Sequence, residues 1–170
     1  MKKNFCLCFI FILFLFGSEN LLSQDNQKVP SVTIKDLKNR TFDTKNMSND
    51  GKPFIISFWA TWCKPCLQEM NAMNEVYEQW QSETGIKLYA VSIDDSRSSK
   101  KVAPTVNGKK WQFEVLLDEN SDFLRAMNAS HPPHTFLVNG KGEIIFQHIG
   151  FAPGDEEELY KQIKDELNKK

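Results

Sequence analysis

Phe54-Ile55-Ile56-Ser57-Phe58-Trp59-Ala60-Thr61-Trp62-Cys63-Lys64-Pro65-Cys66 runs from an apolar stretch directly into two cysteines separated by two residues. Gly51-Lys52-Pro53 breaks the chain before it. Six nearly continuous apolar positions bounded by such a break predict a strand buried on both faces of a sheet. After Cys66 the pattern changes period. Leu67, Met70, Met73, Val76 or Tyr77, and Trp80 recur every three or four residues up to Gly85, which predicts an amphipathic helix with a glycine stop. The cysteines therefore lie where a buried strand becomes a helix.

Further along, residues 86–94 predict a second buried strand, ending at Asp94-Asp95. A polar helix is expected near 96–106, a strand at 113–117 and a short helix over about 121–128. After Pro132-Pro133, a strand at 134–138, a turn at Asn139-Gly140-Lys141-Gly142 and a returning strand at 143–149 make a hairpin. The last helix is expected from Asp155, with Glu158 completing a capping pair and Leu159, Ile163 and Leu167 as its apolar stripe. Upstream, Ser31 to Asp43 alternates around Asn39-Arg40 like a small hairpin. Strands alternating with helices give an α/β domain over residues 31–170 with a central mixed sheet.

The first residues belong to a different problem. Lys2 and Lys3 precede twelve apolar residues, 5–16, and a polar stretch follows. A positive start and a short apolar run describe an export signal, and twelve residues are too few to span a bilayer comfortably. Residues 1–23 are expected to be a signal peptide cut after Ser23. Leu21 is larger than the small residue usual near such a cut, which leaves retention of residues 5–16 as a membrane anchor open. Cys6 and Cys8 fall inside this run as hydrophobic filler. The net charge of the chain is -1, so there is no clustered positive field of the kind nucleic acid requires.

An exported chain then keeps only Cys63 and Cys66. Oxidising compartments favour bridges joining distant segments, whereas a bridge across two residues closes almost no loop and stabilises little by that route. The pair suits exchange chemistry instead. Cys63, at the helix entrance, is the expected attacking thiolate, because free N–H groups and the helix dipole lower its pKa below the free value of ~8.5. Lys64 acts in the same direction. Pro65 fixes the first helical turn, where a missing N–H is harmless. Cys66, one turn deeper, is expected to be buried and to resolve the mixed disulfide. A bare pair of this spacing is also half of a zinc site. Four ligands would then have to include His131, His134 or His148, and His131 and His134 stand closer than a usual zinc pair. A copper carrier using Cys63, Cys66 and His134 is the non-enzymatic alternative, which requires His134 to sit beside the cysteines.

The stretch from Phe58 to Cys66 resembles the active site of the bacterial thioredoxin-like proteins of the TlpA and ResA group, and the likeness runs from about Val32 to the end. It implies a thioredoxin-like fold with an N-terminal hairpin and an extra helix and strand within residues 96–118. Cys63 and Cys66 match the redox pair of the group, Pro133 its cis-proline, and Gly150 a glycine after the last strand. A cis bond there would leave a backbone edge facing the cysteines, open to pairing with a substrate strand. Pro132 departs from the pattern, since it has no N–H to offer such a strand. Thioredoxin itself keeps a buried aspartate where this chain has Ser57. Glu69, three residues after Cys66 on the same helix face, matches a glutamate of the ResA-like members and is expected to be the base for Cys66, against the plainer alternative of a surface charge.

The resemblance implies an enzyme without a cofactor or metal. It would be periplasmic, reduce disulfides in client proteins such as apocytochromes awaiting haem, and be recharged by a membrane thiol-electron carrier. Cys63, Cys66 and Glu69 would be catalytic; Trp62, Lys64, Pro65, Pro132 and Pro133 would meet the substrate. Trp59 and Trp62 flank the site, each as packing or recognition. A peroxide-reducing enzyme of related fold is a further alternative, but Ile56 and Ala60 occupy the positions of the threonine and proline that chemistry would need.

Overall fold

The computed structural model describes residues 27–169; the expected export signal lies outside them. Seven strands form one mixed sheet: β1 (Thr33–Asp36), β2 (Thr41–Asp43), β3 (Phe54–Trp59), β4 (Lys87–Ser92), β5 (Glu114–Leu117), β6 (His134–Val138) and β7 (Ile144–Ile149). Their spatial order is β2-β1-β5-β4-β3-β6-β7. β3 pairs in parallel with β4 and antiparallel with β6, so the strand that precedes the cysteines is central. All six of its residues are buried, as an apolar run without alternation requires.

The helices are α1 (Lys64–Thr84), α2 (Val102–Lys109), α3 (Asp122–Ala126) and α4 (Asp155–Leu167). Side chains of α1, α2 and α4 pack on one sheet face, around Ile55, Trp59, Leu88, Ala90 and Leu137. Phe123, Leu124 and Met127 cover the other face, against Phe58, Phe136 and Leu116. Each large apolar side chain fully buried this way contributes roughly 1.5–3 kcal/mol, and the sheet carries them on both faces. Gly85 closes α1 with φ +68°, a left-handed conformation that a side chain resists.

Three expectations shift. The helix expected at 96–106 begins later. Asp95 Oδ1 accepts from the N–H groups of Arg97 and Ser98, holding a turn there, and α2 runs on past Pro104, which tolerates the first helical turn. The capping pair at Asp155 and Glu158 is not formed. Gly154 is the N-cap with φ +102°, and the Asp155 carboxylate reaches back to accept from the Ala152 N–H at 2.6 Å. Finally, residues 27–29, whose polar sequence predicts no strand, contribute to the sheet. Lys28 bridges Glu143, Val29 N–H donates to Gly142 O and Ile144 N–H to Gln27 O.

Candidate active site

The end of β3 delivers Cys63 to the N-cap of α1 in an extended conformation. Cys63 and Cys66 are joined as a disulfide. The Cys66 N–H donates to Cys63 Sγ at 3.3 Å, so a helix-terminal donor already points at the sulfur on which negative charge would form. No acidic residue occupies the first turn of α1 to oppose the helix field. Cys63 keeps 6% exposure and Cys66 none. Only Cys63 offers an edge to a partner, and Cys66 can be reached only from within.

The loop carrying Cys63 is fastened from the neighbouring strand. Asp94, just past β4, is fully buried and accepts from the Thr61 N–H at 2.8 Å, the Thr61 hydroxyl at 2.6 Å and the Ser92 hydroxyl at 2.8 Å. The sequence signalled a strand end at this aspartate but not its partner.

Pro133 follows Pro132 through a cis peptide bond, and the Gly150 N–H donates to Pro133 O at 2.9 Å. Gly150 adopts φ +85° to make this approach. Trp62, Lys64 and Pro65 are exposed around the cysteines, Trp62 at 63%. Trp59 is a different case. It is buried edge-on to Trp111 at 5.0 Å between ring centroids, so the two flanking tryptophans divide between packing and surface.

Below the disulfide, Glu69 is buried rather than on the helix surface. Thr135 Oγ1 lies 2.7 Å from Glu69 Oε1 and 2.9 Å from Ser57 Oγ, and Ser57 Oγ lies 3.2 Å from Glu69 Oε2. Three contacts close a ring in which the two hydroxyls supply two protons. Both are given to the carboxyl, Thr135 Oγ1 donating to Glu69 Oε1 and Ser57 Oγ to Glu69 Oε2. Burial pushes the Glu69 pKa up to about 7, against the lesser opposing effect of the Thr135 and Ser57 hydrogen bonds. A carboxyl that exchanges its proton near neutrality therefore shares a helix face with Cys66. Ser57 and Thr135 were not recognised in the sequence as its partners, because their meeting depends on the β3–β6 register, Ser57 opposite Thr135.

His134 does not sit beside the cysteines. Neighbouring residues of a strand point to opposite faces. With Thr135 directed to Glu69, His134 faces the other side, stacked on Phe136 with Nε2 3.1 Å from Gln147 Oε1. Burial lowers its pKa. The copper set of Cys63, Cys66 and His134 is thus not assembled. Among the described residues, no group of three or more His, Cys, Asp or Glu side chains is placed to hold a metal ion.

The AhpC/TSA family model matches residues 26–147. The chain is similar to the thiol-disulfide oxidoreductase ResA of Bacillus thuringiensis, 28% identical over 94% of this chain and 96% of that protein. It is also similar to the thioredoxin-like protein YneN of Bacillus subtilis, 32% identical over 75% of this chain and 72% of the other. Among solved structures, a thioredoxin-like protein from Porphyromonas gingivalis is 48% identical, with TM-score 0.74 over 82% of this chain and 92% of that one.

Proposed function

The chain belongs to the AhpC/TSA family and is a thiol-disulfide oxidoreductase of thioredoxin-like fold, and on that premise we propose that it works outside the cytoplasm, reducing disulfides of client proteins. One observation carries the reading. The pair is asymmetric, with Cys63 held at a helix entrance under the Cys66 N–H and Cys66 sealed off on the face that carries Glu69. Such an arrangement suits an ordered exchange.

The Cys63 thiolate attacks one sulfur of the client disulfide, and the departing client thiolate takes a proton from solvent. Glu69, ionised at that stage, accepts the proton of the Cys66 thiol. The Cys66 thiolate then attacks Cys63 Sγ, and the second client thiolate leaves and is protonated. Two electrons pass to the client and the protein retains the disulfide. Trp62, Lys64 and Pro65 form the surface a client meets, with Pro133 as a backbone platform beside them. Pro132 can accept there but not donate.

The direction of electron flow rests on Pro65 before the second cysteine, which resembles the reducing members of the TlpA and ResA group. Apocytochromes awaiting haem are the clients this resemblance implies, with a membrane thiol-electron carrier to recharge the pair. The export pattern of residues 1–23 supports a periplasmic location, with or without residues 5–16 as an anchor. Replacing Cys66 by Ala leaves Cys63 unable to release its partner. Cells producing Cys66→Ala should accumulate protein covalently joined to clients through Cys63, and sequencing the captured proteins identifies them. A wild-type protein that reduces model disulfides while the variant captures nothing would argue against protein clients.

A further inference from the structure

Glu69 can act repeatedly only if its proton can travel between the buried carboxyl and solvent. One opening lies on the flank formed by β7 and α4. A small cavity bounded by Glu69, Thr135, Phe146, Phe151, His148 and Asp155 lies between the carboxyl and the surface, with room for about one water molecule. Thr135, which bonds Glu69, stands directly opposite His148 in the β6–β7 register. Cross-strand partners of this kind lie side by side on one face. At the mouth, His148 Nε2 is 2.9 Å from Asp155 Oδ2, with the two side chains 38% and 31% exposed. Apolar Phe146 and Phe151 border the passage, and this pair and Glu156 supply its polar rim.

We propose that His148, oriented by Asp155, is the proton gate of Glu69, connecting the buried carboxyl to solvent through this cavity. The proposal rests on the oxidoreductase reading for its purpose, because only a redox cycle loads and unloads Glu69. No electrons move in the step. With the ionised Asp155 accepting from Nε2–H, the other ring nitrogen of His148 is free to take up the proton that leaves Glu69. The imidazolium then releases its Nε2 proton to solvent at the mouth, and the reverse sequence reloads the carboxyl. The charged and titratable groups facing His148 are Glu69 from α1 and Asp155 and Glu156 from α4. His148 is a positioning residue in this scheme, since it acts on the cysteines only through Glu69.

The test is the rate at which the Glu69 carboxyl band in the infrared relaxes after a laser-triggered pH jump across neutrality, with Glu69→Gln used to assign the band. His148→Ala should slow the relaxation about 10-fold, below the span typical of a directly acting acid or base, and added imidazole should restore it. A group that merely fills space would not give that rescue. His148→Gln keeps a hydrogen bond to Asp155 through its amide N–H but cannot take up a proton, and should relax as slowly as His148→Ala; it decides the matter if the alanine variant does not fold. Wild-type rates in the glutamine variant, or a slow alanine variant indifferent to imidazole, would overturn the proposal. Reduction of a model disulfide by the wild-type protein is measured separately. Its absence would sink the oxidoreductase reading and leave the infrared result standing.

Discussion

Glu69 shows how far a single residue can be read from the chain. Its spacing from Cys66 puts it on the right helix face, but spacing does not reveal that Ser57 and Thr135 meet it from two strands or that it is 5% exposed. Those facts depend on register. His134 shows the opposite outcome, since one position along β6 exchanges the cysteine face for the other side of the sheet. We expect Glu69→Gln to lower turnover of a model disulfide about 100-fold near pH 8, at the low end of what a positioned general base supplies. Steady-state rates from pH 6 to 9 check this. The wild-type profile should bend near pH 7, where the carboxyl titrates, and that bend should be missing in the variant.

At the scale of elements, the strand-to-helix passage at Cys63 was legible because the hydrophobic period changes there and Gly85 ends the run. Its anchorage was not, because Asp94 lies 33 residues from Thr61 and no local pattern links them. Asp94→Ala would leave the Thr61 N–H and hydroxyl and the Ser92 hydroxyl without their acceptor. Loss of about 3 kcal/mol is expected for stranding that many buried donors, measured by denaturant unfolding. Asp94→Asn should retain part of it, since its side-chain oxygen still accepts. The start of α2 and the cap of α4 were misread for a related reason. Asp95 and Asp155 bond backbone N–H groups outside the helices, in competition with the roles a helix pattern assigns them.

For the molecule as a whole, the alternation of strands and helices disclosed the α/β class, whereas the strand order and the pairing of residues 27–29 with the β7 end could not be read. That last pairing is made by backbone groups, on which Gln27 and Lys28 leave no hydrophobic mark. Two buried groups shape the pH dependence of the whole fold in opposite directions. Glu69 has a folded pKa of about 7 against 4.5 for the free side chain. The folded state therefore binds the extra proton, and its contribution is complete below pH 4.5 and lost as pH rises through 7. His134 has a lowered folded pKa, so its contribution holds above the ordinary value of 6.5 and fades as pH falls through the folded one. Thermal unfolding of the oxidised protein should show Glu69→Gln gaining on the wild type as pH rises from 4.5 through 7. His134→Phe should resist acidification below pH 6.5 better than the wild type. A variant whose difference from wild type stayed constant across pH would contradict the assignment for that residue.

The clasp between Lys28 and Glu143 has a bearing on orientation. β6 and β7 run so that His134 and Ile149 lie at the sulfur pole, while Val138, Ile144 and the clasp lie at the other. A strand of this length spans about 20 Å. The chain at residue 27 therefore enters the body from behind, with the reactive pole on the opposite side.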